Sequence, residues 1–92
     1  MKATDKSVQS KDKNTSSSPD ILTTFANTLR NLRTERDMTQ HDLEDKSGLS
    51  LRMISDMERG VKQPTLLTLI KLAKGLDISV VQLIVQVMKE KK

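Results

Sequence analysis

Arg52, Ser55 and Asp56 fall within five residues, between a serine at 50 and a glycine at 60. A guanidinium fork, a hydroxyl and a carboxylate on one short segment do hydrogen-bond chemistry. The Arg52 fork can pair with two acceptors at once, as on guanine O6 and N7, and such a pair is worth about 1–3 kcal/mol of discrimination. Ser55 can serve either kind of base edge, and Asp56 can accept from a cytosine amine or repel a wrong sequence. Bond-breaking chemistry has no comparable set. There is no activated Ser, no Cys and no glycine-rich phosphate loop, and paired acids such as Asp42 and Asp45 sit on a solvated helix face. The chain is therefore read as a non-enzyme. His41 is the only histidine and has no cysteine beside it, so neither a metal site nor a cofactor is expected. Met38, Met53, Met57 and Met88 are read as gap-filling core or interface residues.

The elements that hold these side chains are marked by their ends. Thr39, Ser50 and Ser79 each supply an N-cap hydroxyl, and the apolar residue before each (Met38, Leu49, Ile78) matches an apolar residue at N4 (Leu43, Ile54, Leu83). Asp42 and Gln82 stand three residues after their caps, in box-like patterns. Gly48 supplies the sharp turn after the first of these helices, and Gly60 is the C′ residue of the second. The spacing predicts helices at about 40–46, 51–59 and 80–89. Two short helices around a glycine turn, over about 39–60, form a helix-turn-helix whose second helix is shaped to enter the DNA major groove.

The remainder reads as scaffold. Ser18-Pro19 opens a first helix with an N-cap hydroxyl and proline at N1, followed by an apolar stripe of Ile21, Leu22, Phe25, Ala26, Leu29 and Leu32. Pro64-Thr65 opens a fourth helix, from which Leu66, Leu69, Ile70, Ala73 and Leu76 are expected in the core. No strand pattern appears, so the fold class is all-α with five helices. Residues 1–18 carry almost no apolar side chains and are expected to form a disordered arm before a single domain at 19–92. The arm's lysines either touch phosphates or simply keep the arm solvated. The net charge of +4 favours a polyanionic partner only mildly, because residues 39–63 hold four cations against five acids, a net −1. DNA affinity would have to come from where the cations sit. Lacking tryptophan and tyrosine, with one phenylalanine, the chain has no base-stacking platform for single strands. No stretch is long and apolar enough for a membrane span or a signal peptide, so a cytoplasmic location is expected.

The stretches LRNLRTERDMTQHDL, SGLS, ISDMERG, PTLLTLIKLAK and SVVQLI resemble the lambda-repressor-like, Cro-type (XRE) helix-turn-helix proteins over about residues 22–84, with no insertion. The resemblance implies a five-helix DNA-binding domain and a set of roles. Gln40 would contact a DNA phosphate and brace the recognition helix. Arg33 and Glu58 would form an ion pair between helices 1 and 3, with Arg33 also reaching a phosphate. Ser50, Leu51, Arg52, Ser55 and Asp56 would face base edges or adjacent phosphates: Leu51, Arg52, Ser55 and Asp56 as base readers, Ser50 as a phosphate contact. Lys62 and Gln63 would lie along the backbone of the same half-site. Three departures stand out. Glu44 replaces a favoured alanine where helices 2 and 3 approach. Gly75 and Asp77 stand for alanine and glycine, which puts a shortened or reshaped end of helix 4 in prospect. Leu51 stands for a polar reader.

Helix 5 is apolar nearly all round. Leu83 and Val87 can close the core, which leaves Val81, Ile84, Val85 and Met88 for a partner. A C2 homodimer on this helix would set two recognition helices about 34 Å apart on a pseudo-palindrome. The expectation is a sequence-specific regulator of transcription, binding double-stranded DNA in a bacterial or phage nucleoid. The alternative is an antitoxin or adaptor that keeps the scaffold and offers its C-terminal helix to another protein.

Overall fold

Four hydroxyls start four of the helices. Thr39, Ser50, Thr65 and Ser79 accept from the N–H groups of Asp42, Met53, Thr68 and Gln82 at 3.0–3.1 Å, which satisfies donors that have no intrahelical acceptor. Two of these caps are reciprocal: the Thr39 N–H donates to Asp42 at 2.8 Å, and the Ser79 N–H to Gln82 at 3.0 Å. The Thr39 N–H, and then its hydroxyl, hold the Asp42 carboxyl below the usual carboxylate range. The stabilisation this gives is present above the ordinary carboxylate pKa and is lost as pH falls through the lowered one. The other ends are left-handed residues: Asp37 (φ 56), Gly48 (φ 79), Gly60 (φ 74) and Asp77 (φ 60). After Asp37, Gly60 and Asp77 the next N–H reaches back to the carbonyls of Arg33, Asp56 and Ala73 at 3.0–3.1 Å, which is the Schellman arrangement. Aspartate tolerates φ > 0 better than most residues because its short side chain bonds locally.

The computed structural model describes residues 17–91, and regular structure there is entirely helical: α1 Ser17–Glu35, α2 Gln40–Ser47, α3 Leu51–Glu58, α4 Leu66–Gly75 and α5 Val80–Lys91. The expected arm lies outside the described residues but for its last two. Those two, Ser17 and Ser18, already belong to α1, so Pro19 stands at its third position instead of its first. Its missing N–H is harmless there too, since the first four N–H groups of a helix have no partner within it.

Contacts join α1 to α3 and α5, α2 to α3 and α4, and α4 to α5. Phe25, Leu29, Leu32, Leu43, Leu49, Ile54, Met57, Leu72, Ala73, Leu76, Leu83 and Val87 close one core. The staple partners Leu43, Ile54 and Leu83 are fully buried, with Met38 and Ile78 packed against the cluster. The expected α4 stripe needs correction. Leu66 is 70 % exposed and Ile70 is exposed, while Leu72, passed over in the sequence, is fully buried. Ile21 likewise sits at the exposed margin of the α1 stripe.

The end of α4 is not shortened. It runs to Gly75, where a Cβ would lie 2.9 Å from both Ser47 Cβ and Leu43 Cδ1. Glycine therefore lets α4 lie directly on the last turn of α2. Arg36 ties the ends of two helices, donating to the Leu32 and Leu76 carbonyls at 3.0 Å. Thr28 on α1 is buried, and its hydroxyl has no partner. Thr28→Val keeps the shape and removes the orphaned group, so unfolding free energy should rise by about 1 kcal/mol in urea titrations. A fall would mean that the hydroxyl is satisfied in solution.

Candidate nucleic-acid interface

The outer face of α3 is set by what holds its inner face. Glu58, at the last turn, is buried with its side chain 1 % exposed, and Arg33 of α1 clamps it with both limbs: Nε to Oε2 at 2.6 Å and Nη2 to Oε1 at 2.9 Å. Gln40, the first residue of α2, donates from Nε2 to the same Oε1 at 3.1 Å. One carboxylate therefore ties α1, α2 and α3 together. The hydrogen bonds from Arg33 to Glu58 hold the guanidinium pKa above its ordinary value, against the opposing effect of burial. The third nitrogen of Arg33 donates to the Met38 carbonyl at 2.7 Å, and the side chain is 12 % exposed. That placement sets Arg33 in the pair with Glu58 that was expected of it. The open cation is its neighbour Arg30, which the sequence reading passed over; its Nε lies 3.8 Å from Glu58 Oε1, and it is more than half exposed.

With Ile54, Met57 and Glu58 turned inward, Arg52 points away from the bundle, its side chain 91 % exposed. Leu51 and Ser55 are half-buried beside it, and Ser50 is exposed. The Ser50 hydroxyl accepts from Met53 and keeps its own hydrogen for a further acceptor. Asp56 is half-buried on the same surface, with two arginines beside it. It is hydrogen-bonded to Arg59 and lies 3.9 Å from the Arg52 Nε, so its carboxylate clasps two arginines on the α3 surface. Arg59, just before Gly60, was not singled out in the sequence. Its charge and its i, i+3 spacing from Asp56 were the signal for this second surface cation. Lys62 and Gln63 are exposed in the loop before α4, with Gln63 and Pro64 at the edge of an apolar groove of about 340 Å³.

Glu44, in place of the favoured alanine, joins the two helices. Its Oε2 accepts from the Leu51 N–H at 3.1 Å, so α2 caps the start of α3. The substitution of a favoured alanine was legible; the hydrogen bond it makes was not, because it forms only when α2 and α3 pack.

The geometry is two helices at a fixed angle, one with an exposed polar face. The helix-turn-helix family matches residues 29–83, well over half of the chain. The chain belongs to that family. Among helix-turn-helix relatives, the HTH-type transcriptional regulator y4dJ of Sinorhizobium fredii is 43 % identical over 53 residues, which cover 58 % of this chain and 69 % of that protein. Two solved structures are also similar. The restriction-modification controller protein C.Esp1396I, crystallised as a tetramer with its natural 35 base-pair operator, superposes with a TM-score of 0.73 and is 34 % identical, over 77 % of this chain and 93 % of that one. The controller protein C.AhdI of Aeromonas hydrophila gives a TM-score of 0.65 and 37 % identity over 67 % and 94 %. Among the described residues no helix is long and apolar enough to cross a membrane, and no group of acids or histidine is placed to hold a metal.

Proposed function

We propose that this protein is a sequence-specific double-stranded DNA-binding regulator of transcription that works as a homodimer in the cytoplasm, with α3 in the major groove. The observation that carries the reading is Arg52. A guanidinium free of the bundle, on a helix whose opposite face is locked by the buried Glu58, is held where a base edge can meet it. Ser55 and Leu51 flank it, Leu51 offering its apolar side chain to a thymine methyl. Asp56 acts through the two arginines it clasps. Ser50, Gln40, Arg33, Lys62 and Gln63 serve as phosphate contacts, with the more exposed Arg30 beside Arg33; they fix register without reading sequence.

The exposed Val81, Ile84, Val85 and Met88 of α5 support a dimer, and Ile84 and Met88 also line the apolar groove. The operator-bound tetramer of the similar controller protein is consistent with such an assembly. A rival reading, a protein-binding antitoxin or adaptor, draws on the net −1 of residues 39–63 and on the exposed Leu66 and Leu67 of α4.

Titration against random duplex DNA at several salt concentrations separates the two. A DNA regulator loses affinity linearly in log–log form as salt rises, with a slope that counts neutralised phosphates. No binding at low salt favours the adaptor. In a selection from random duplexes, Arg52→Ala should abolish preference at one base pair per half-site, a loss of about 1–3 kcal/mol there. Uniform weakening over all sequences would make Arg52 a phosphate contact.

A further inference from the structure

We propose that Glu44 is an internal counter-anion that limits sequence-independent DNA affinity, by occupying the start of α3 in place of a DNA phosphate. The inference rests on the DNA-binding reading above. Glu44 lies one turn beyond Gln40, so both side chains leave the same face of α2. Gln40 reaches the last turn of α3 through Glu58, and Glu44 reaches its first residue through the Leu51 N–H. The free N–H groups and positive dipole end of a helix favour an anion. In α3 that anion is already supplied, since Glu44 takes the Leu51 N–H and the Ser50 hydroxyl takes that of Met53.

The charge on Glu44 is not cancelled locally. Among the described residues neither lysine nor arginine pairs with it, and its contact is His41 Nδ1, 3.5 Å from Oε1. Its side chain is 36 % exposed, so the carboxylate faces solvent beside Ser50, where the backbone of a bound duplex would pass. A phosphate drawn towards that helix end finds the Leu51 and Met53 donors occupied and a like charge beside them. At about 7 Å in water, repulsion between unit charges is worth roughly threefold in affinity, and salt screens it. The effect is indifferent to base sequence. It weakens binding by phosphate contact alone and so makes stable occupancy lean more on base contacts such as those of Arg52.

Glu44→Gln keeps an acceptor for the Leu51 N–H and removes the charge; Glu44→Ala removes both. Fluorescence anisotropy of the full chain on a random-sequence duplex, from low to high salt, tests the inference. Both variants should bind about threefold tighter or more at low salt, with the gain fading as salt rises. Only Glu44→Ala should also melt at lower temperature. Affinities of Glu44→Gln equal to or weaker than wild type at low salt, or a gain unchanged by salt, would overturn the inference while leaving the DNA reading standing. Failure of the wild-type chain to bind at low salt would remove both.

Discussion

Glu58→Ala should lower the unfolding free energy by about 3–5 kcal/mol, because it strands a clamped arginine with no acceptor for two of its donors. Small domains carry only about 5–15 kcal/mol in all, so the variant should sit near its unfolding midpoint at physiological temperature. Urea titration followed by circular dichroism measures the loss directly. The expected result depends on Arg33 being held by burial on both sides: the Glu58 side chain is 1 % exposed and the Arg33 side chain 12 %. Replacing both residues by apolar ones of similar size should recover much of the stability, since the isolated charge is what destabilises. A loss under 1 kcal/mol for Glu58→Ala would mean that the pair is solvated and that α3 is aimed by packing alone.

The second large effect concerns assembly. Ile84→Glu should give a folded monomer by sedimentation, with operator affinity reduced about a hundredfold or more, because two tethered half-site contacts become two independent ones. Ile84 sits at the partly exposed margin of the apolar groove, so the longer carboxylate can turn to water in a monomer but would meet a partner's apolar face in the proposed dimer. An unchanged molecular mass would move the interface elsewhere. The exposed Leu66, Leu67 and Ile70 of α4 are the next place to look.

Sequence made the helix ends legible and their tertiary use much less so. Thr39, Ser50 and Ser79 could be placed because a cap spans four consecutive residues and is complete within its own segment. The boundaries of α2, α3 and α5 followed to within two residues. α4 misled because Leu66, Leu67, Leu69, Ile70, Leu72, Ala73 and Leu76 are apolar on most of its circumference, so a 3.6-residue period cannot choose the buried side. Neighbouring helices made that choice, taking Leu72 and leaving Leu66 outside. In the site, the Arg33–Glu58 pair followed from family resemblance. The clasp of Asp56 on Arg59 was signalled by its spacing, whereas the capping of Leu51 by Glu44 depends on helix approach, which composition does not encode.

Gly75 bears on how this reading head could be moved between proteins. With Ser47 and Leu43 standing where a methyl would have to go, the seat of α2 is moulded by a missing side chain nearly thirty positions downstream. A graft of residues 39–60 onto a related scaffold with alanine at that position would rest on a raised floor. The transplanted head would tilt with it, and its target preference would shift although every residue proposed to face bases had been preserved.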